Sequence, residues 1–260
     1  AASDVYKRQS YNLRYGDFKA RISGYYTRIY DQSKVISYYD DVAATFTNFA
    51  MSGIDKVHFG LEAAVSIPIY HTLALNGAVS WGQYTYDSNP YYLQTQDNSG
   101  DIVSDGYVYW KDFRVESTPQ TAVNVGLSWR SNNNIYLSAD FNYYNNMYLS
   151  MSPIYRTDAV ITGGMAPGDI EHLRRQEKFD SAYTLNASIG KNWYIHRKYT
   201  LGFSLDVKNI LNNQDIKTGG YEQTRLSKNT ETTVTTYQAF DSKYFYMFGT
   251  TYYLNLYFRF

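Results

Sequence analysis

The feature that most constrains this chain is a period-two alternation of apolar and polar side chains, which is clearest in its last segment. Residues 250–260 carry an apolar row formed by Tyr252, Leu254, Leu256, Phe258 and Phe260. Side chains of a β-strand point alternately to its two faces, so this segment predicts a strand between an apolar medium and water. A membrane β-barrel can end on such a strand, because its last strand must pair fully to close the wall.

Eight earlier segments repeat the same alternation. They are residues 10–15, 18–30, 57–67, 73–81, 123–130, 135–143, 183–189 and 199–207. With the last segment they predict about nine strands. Four connections between them are tight, at residues 16–17, 68–71, 131–134 and 196–198. Four others are long and polar, at residues 31–53, 87–119, 149–180 and 211–244.

Tight turns and long loops alternate along the chain, which places the short turns on one rim and the long loops on the other. That arrangement is typical of outer-membrane β-barrels, whose short turns are periplasmic and whose long loops are extracellular. We therefore predict an all-β fold, an antiparallel up-and-down transmembrane β-barrel. An odd strand number indicates a fragment, since single-chain bacterial barrels have even numbers.

The composition agrees with a β-structure that meets a membrane. The 260 residues include 30 Tyr, 13 Phe and 4 Trp but only 5 Pro, which favours strands. Many of these rings fall near predicted strand ends, where aromatic girdles mark the two membrane interfaces. Barrel strands show only alternation, so the lack of an apolar run of roughly 18 residues does not argue against a membrane.

The residue types that carry chemistry give little support for catalysis. There is no Cys, and the 4 His are scattered without metal-ligand spacing. No nucleophile elbow and no phosphate-cradling glycine loop occurs. A net charge of zero gives no indication of a nucleic-acid partner. We expect no enzyme activity, no metal and no cofactor.

Two sets of residues are candidates for functional contacts. The first set lies on the polar faces of the predicted strands and would line the lumen: Arg21, His58, Glu62, Arg130, Asp140, Asp206, Lys208 and Arg259. Turning such a charge toward lipid at mid-membrane would cost about 2–4 kcal/mol, so their confinement to one face supports the register. The second set is aromatic, belongs to the second long loop and could stack on a sugar or bury an apolar ligand: Tyr91, Tyr92, Tyr109 and Trp110.

The segment at residues 203–223 contains Asn-Ile-Leu-Asn-Asn followed by Thr-Gly-Gly-Tyr-Glu-Gln, and Ser-Lys-Tyr-Phe-Tyr-Met follows at residues 242–247. Together with residues 53–62, these motifs resemble the C-terminal barrel of TonB-dependent receptors, Bacteroidota type. The motif loop comprises Gly219, Gly220, Tyr221 and Glu222. The resemblance implies a barrel of about 22 strands around a plug domain, so residues 10–260 would be a partial barrel without the plug.

The resemblance also implies a function: energy-coupled uptake of a scarce nutrient, such as a siderophore, cobalamin, glycan or peptide, across the outer membrane of a Gram-negative bacterium. Expected partners are outer-membrane lipid, the plug domain, TonB, a surface lipoprotein, and the barrel-assembly machinery, which would read the strand that ends at Phe260. Residues 1–9 look like a translated adapter sequence and are interpreted as a scar. Two alternatives stay open: another outer-membrane barrel (adhesin or enzyme), or a soluble carbohydrate-binding β-sandwich.

Overall fold

A computed structural model describes residues 3–41, 43–116, 118–163, 167–196, 198–229 and 236–260. The tight turn predicted at residues 196–198 includes position 197, which lies outside the described residues. So do the first two residues of the predicted scar.

Strands dominate the described chain. They are β1 (Ser3–Tyr15), β2 (Phe18–Asp40), β3 (Thr45–Tyr70), β4 (Leu73–Tyr86), β5 (Tyr91–Gln96), β6 (Ile102–Tyr107), β7 (Thr121–Arg130), β8 (Ile135–Asn145), β9 (Ala182–Ile195), β10 (Tyr199–Lys208), β11 (Lys217–Tyr221), β12 (Leu226–Asn229), β13 (Thr236–Ala239), β14 (Lys243–Tyr246) and β15 (Thr251–Arg259). Helical structure is limited to a 3₁₀ turn (Ile154–Arg156), α1 (Asp158–Ile161) and α2 (Pro167–Arg174). In the described ranges, no helix has the length and hydropathy that crossing a membrane requires.

One sheet organises the molecule. Its main path runs β1-β2-β3-β4-β7-β8-β9-β10-β15, and every neighbouring pair is antiparallel. Strand β5 pairs with the upper part of β3, and β6 pairs with β5. The prediction of an all-β, antiparallel up-and-down sheet is confirmed. The barrel and its number of strands stay a prediction. We call the lower, nine-strand meander the wall.

The strand register aligns the apolar rows of all these strands on one face. Directly paired residues point to the same side of a sheet, so one row can be followed across neighbours. At mid-height this row contains Ile22, Ala63, Val79, Val123, Tyr143 and Tyr183. At the other end of the wall the pairs Ala187–Val207 and Val207–Tyr252 continue it. The alternation seen in the sequence is therefore one coherent two-faced surface.

Two predicted limits of strands are wrong. Strand β1 begins at Ser3 rather than near residue 10 and pairs with β2 from there. That residues 1–9 are an adapter scar stays a prediction. The segment 31–53 is not a loop, because β2 continues to Asp40 and pairs with β3 as far as Thr45. The physical reason is that this hairpin has apolar side chains of its own to bury: Tyr38, Phe49 and Met51 are all at most 9% exposed.

The other long connections also contain structure. Residues 87–119 hold the β5–β6 hairpin, residues 149–180 hold the helices, and residues 211–244 hold β11 to β13 and the first half of β14. These segments pack with the upper ends of β2 and β3 around a shared apolar core, which includes Phe49, Tyr92, Trp110, Ile154, Tyr155 and Leu226. We call this body the loop assembly. It is the part of the described chain with a buried core.

Candidate functional site

The apolar face of the wall is exposed. Its side chains include Ile22 (51% exposed), Leu61 (53%), Leu127 (47%) and Leu256 (70%). Soluble monomers rarely expose a contiguous apolar patch larger than a few hundred Å². This face spans all nine strands, so it is a surface that another apolar phase or partner must cover.

Aromatic rings and two lysines mark the edges of this face. Trp129 and Trp193 lie near the short turns, whereas Trp81 lies near the long connections. The two lysines are Lys7, which pairs with Tyr26 at the upper edge, and Lys191, which pairs with Ile135 and Phe203 near the short turns. The Lys191 ammonium group lies 5.1 Å from the ring centroid of Trp193, close to the rim, where a long cation can reach water.

The opposite, polar face carries the eight residues predicted to line a lumen. The pairing puts all of them on this side: Arg21, His58, Glu62, Arg130, Asp140, Asp206, Lys208 and Arg259. They are spread over the face rather than gathered in one cluster. Glu62 accepts a bond from Arg8 (2.6 Å), and His58 lies 4.7 Å from the Tyr84 ring. That this face lines a lumen stays a prediction.

Hydrogen bonds cross the polar face from strand to strand. Asn124 donates to Asn142 (2.8 Å), and Asn142 donates to Thr184 (3.4 Å). The hydroxyls of Ser138 and Ser188 are 2.7 Å apart. Because these polar side chains form hydrogen bonds with neighbours on adjacent strands, their face can lie against water or against another polar surface.

Tyrosine rings on this face lie over glycines of the neighbouring strand. Tyr136 covers Gly190, and Tyr257 covers Gly202. A Cβ at Gly190 would lie 2.1 Å from ring atoms of Tyr136 and 2.7 Å from the backbone oxygen of Phe203. These glycines are therefore required by close packing.

A hollow opens in the polar face where small side chains meet. Its volume is about 350 Å³, and Ala64, Ala78 and Ala122 form its floor. Arg8, Arg21 and the carboxylate of Glu62 border it. The hollow has room for a polar segment of another chain or domain.

The four aromatic ligand candidates separate into two pairs. Tyr92 and Trp110 are each 1% exposed and belong to the core of the loop assembly, where Tyr92 stacks on Phe49 at 4.6 Å. Tyr91 is exposed and donates to Asp105 (2.6 Å), and Tyr109 is exposed beneath Arg174. Only Tyr91 and Tyr109 therefore offer ring surface to a ligand in this structure.

The motif loop binds the third long connection through hydrogen bonds and an ion pair. Gly219, Gly220 and Tyr221 form β11, which pairs with β14. Glu222 then accepts two bonds from the fully buried Arg156, from Nη1 to Oε2 (2.5 Å) and from Nη2 to Oε1 (2.9 Å). The backbone N–H of Ser152 adds a third bond at 2.8 Å. A bidentate carboxylate–guanidinium pair of this kind is directional, so it fixes the loops relative to each other.

Further polar links join the connections. Glu177 accepts from Lys217 Nζ (3.0 Å) and from the Tyr244 hydroxyl (2.7 Å). Burial and then the bond to Glu177 raise the pKa of Tyr244. Arg225 binds Asp41 through two bonds (2.9 and 3.0 Å), and this hydrogen bonding lowers the pKa of the Asp41 carboxyl.

Gln176 ties the third connection to the second. Its side-chain oxygen accepts from the backbone N–H of Arg114 (2.9 Å), and its Nε2 donates to the Arg114 carbonyl (2.7 Å). Sequence reasoning identified Glu222 through its motif but missed Arg156, Gln176 and Lys217. Their partners lie 40 to 66 positions away, and no local pattern marks such pairs.

Comparison with known proteins does not name a family. No family model matches the chain, and no curated protein matches it. Within the described residues, no group of three His, Asp or Glu side chains is placed to hold a metal ion. The candidate functional surfaces are thus the two faces of the wall and the loop assembly.

Proposed function

We propose that this chain is part of an outer-membrane β-barrel receptor, with the wall in the lipid bilayer and the loop assembly outside the cell. The observation that carries the proposal is the pair of opposed faces: one apolar and exposed across nine strands, the other polar and hydrogen-bonded. Lipid covers an apolar face without any specific partner. Burial of one Leu or Phe side chain contributes about 1.5–3 kcal/mol, and this face presents many.

The height of the apolar face fits a bilayer. On β2 it runs from Phe18 to Tyr26, and on β15 from Phe260 to Tyr252. A tilted strand needs about 9–11 residues to cross the hydrocarbon. Above Tyr26 the same side of β2 carries Arg28, which pairs with Asp87 at 2.7 Å and would lie in water.

The free edges of the sheet support a larger barrel. Nine antiparallel strands in one path make β1 and β15 run in the same direction. Pairing these two edges would create one parallel contact in an otherwise antiparallel wall. A regular closure needs an odd number of additional strands, and the remainder of a receptor barrel would supply them. The resemblance of the motif loop to TonB-dependent receptors supports the same proposal.

The role of each part follows. The polar face would meet a plug domain, and its hollow at Ala78 offers space for that contact. TonB would act on the plug to drive uptake of a nutrient captured outside. The loop assembly, with its own core, would hold the capture surface.

The alternatives have less support. A soluble carbohydrate-binding sandwich needs a second sheet over the apolar face, and the described residues provide no such layer. A metal-dependent enzyme barrel needs a cluster of ligating side chains, and among the described residues no group of three His, Asp or Glu side chains is placed to hold a metal ion.

Folding into lipid tests the membrane role. We expect the urea-unfolded chain to acquire β-structure and float with phospholipid vesicles. Dilution into plain buffer should give aggregates, because the apolar face and two sheet edges stay exposed. A folded monomer in plain buffer without affinity for vesicles would overturn the proposal.

Sidedness is tested on whole cells, and the absence of Cys gives a clean background. We expect a membrane-impermeant maleimide to label Lys111→Cys, in the loop assembly, and not Asp17→Cys, in a short turn. Labelling of both positions, or of Asp17→Cys alone, would contradict the orientation.

A further inference from the structure

A second cavity lies inside the loop assembly, apart from the polar face of the wall. Its volume is about 550 Å³, within the range of roughly 300–1,000 Å³ that is typical of small-molecule sites. The third and fourth long connections form it. Its lining includes Tyr155, Arg175, Glu177, Lys178, Glu222 and Tyr244.

The two glutamates of this lining are already neutralised from within the protein. Glu222 is held by the buried Arg156, and Glu177 is held by Lys217 and the Tyr244 hydroxyl. A carboxylate with a bound cation offers little free negative charge to a ligand. These two groups therefore shape the cavity without making it acidic.

Two cations of the lining are not neutralised in this way. Neither Arg175 nor Lys178 forms a side-chain hydrogen bond or ion pair with the described residues, and both are exposed. The remaining acid is Asp241, which is exposed at the rim and whose backbone carbonyl accepts from Gln223 (2.7 Å). Two cations against one acid leave the cavity with an excess positive charge.

Each aromatic group of the lining already contacts a cation or is buried in the protein. Arg225 lies over the ring of Phe240 at 4.5 Å, and Lys217 lies over the ring of Tyr244 at 3.8 Å. Tyr155 is 2% exposed, donates to the Arg225 carbonyl (2.9 Å), and has its pKa raised by burial to about 12, so it stays neutral. The unpaired charges of the lining are therefore the groups that are most available for recognition.

We propose that this cavity binds a small anionic ligand that carries at least two carboxylate or similar oxyanion groups. Arg175 would hold one group through two parallel N–H bonds, and Lys178 would hold the second as a compact charge. This proposal names a ligand class for the loop assembly, and its role in uptake rests on the proposed receptor function. Binding itself does not depend on that function.

Binding of benzene-1,3,5-tricarboxylate to the micelle-refolded chain, measured by calorimetry, tests the proposal. The neutral comparison ligand is 1,3,5-tris(hydroxymethyl)benzene, which has the same ring and substitution pattern. We expect the tricarboxylate to bind at least about tenfold more tightly. Raising the salt concentration should weaken its binding, since these cations are exposed.

Matched variants distinguish binding in the cavity from non-specific attraction of the anion to lysines and arginines elsewhere on the protein. Arg175→Gln with Lys178→Gln should weaken tricarboxylate binding at least about tenfold. Lys34→Gln with Lys111→Gln removes the same charge from exposed positions of the loop assembly outside the cavity, and should change binding less than about threefold. Equal binding of the neutral ligand, equal losses in both double variants, or no binding would overturn the anion site. Vesicle flotation of the same protein reports separately on the membrane role.

Discussion

Strand β3 passes through both the loop assembly and the wall, and its side chains are buried in the first and exposed in the second. In the loop assembly, Phe49 and Met51 are 0% and 1% exposed. Lower in the same strand, Leu61 is 53% exposed. The upper half is covered by β5, the helices and the other connections, whereas the protein leaves the lower half uncovered. One strand therefore supplies side chains to a protein core and, about ten residues further along, to an exposed surface that we propose lipid covers.

The two regions also use polar groups differently. In the wall, polar side chains bond sideways to one another on an open face, as Ser138 and Ser188 do. In the loop assembly, the Arg156–Glu222 pair is buried and links separate connections. Removing a partner should therefore have a small effect in the wall and a large one in the loop assembly.

The largest expected effect comes from breaking the buried pair. Arg156→Met leaves Glu222 without its cation and should cost about 3–5 kcal/mol of loop-assembly stability. Hydrogen exchange followed by mass spectrometry should show faster exchange in residues 149–161 and 217–226. Exchange in β8 to β10 should not change.

The control for this variant is Arg225→Gln, which breaks the more exposed pair with Asp41. Because solvent screens this exposed pair, hydrogen exchange in the loop assembly should stay close to that of the unaltered protein. If both variants accelerate exchange equally, or if the wall strands open together with the loops, the division into two regions is wrong.

The next largest effect is expected from placing an arginine on either face of the wall, at two adjacent positions of β4. Val79 lies on the apolar face and Ala78 on the polar face, and both are exposed. Val79→Arg should cost about 2–4 kcal/mol in vesicles, since it turns a charge toward lipid. Ala78→Arg should cost less than about 1 kcal/mol. Urea unfolding in vesicles measures both, and equal costs would contradict the assignment of the faces.

A smaller effect tests the close packing of the polar face. Gly190→Ala places a methyl group against the Tyr136 ring and the Phe203 backbone, and should cost about 1–3 kcal/mol through overpacking. Gly24→Ala is the matched control, because its methyl group would meet only Leu61 Cδ2 at an ordinary 3.5 Å. The same urea unfolding compares them, and a control that is equally destabilised would show that packing on the polar face is not the cause.

The smallest effect concerns pH in the loop assembly. The Asp41 pKa is lower in the folded protein than its ordinary value of 3.8, so the pair with Arg225 contributes fully above that value. The contribution is lost as the pH falls through the lowered pKa. Carbon NMR of the Asp41 carboxyl should show the pKa returning toward 3.8 in Arg225→Gln. An unchanged pKa would show that Arg225 is not its cause.

Much of the wall could be predicted from the sequence because period-two alternation is a local signal. The rows at Ile22, Val79 and Leu254 are visible without any tertiary information, and the sheet register aligns them. The loop assembly could not be predicted in this way. Residues 31–53 look polar on average, yet a few apolar side chains, such as Phe49, are enough to fold the hairpin onto a core assembled from distant connections. Tyr92 and Trp110 looked like ligand candidates for the same reason, since burial depends on those distant partners.

Quenching of tryptophan fluorescence by brominated lipids tests the central claim most directly. Trp81, Trp129 and Trp193 lie on the apolar face, and Trp110 lies in the loop core. Each is measured alone in vesicles, with the other three changed to Phe. We expect strong quenching of the three wall tryptophans, greatest with bromines near the headgroups, and little quenching of Trp110. Unquenched wall tryptophans, or quenching of Trp110 as strong as theirs, would contradict that claim.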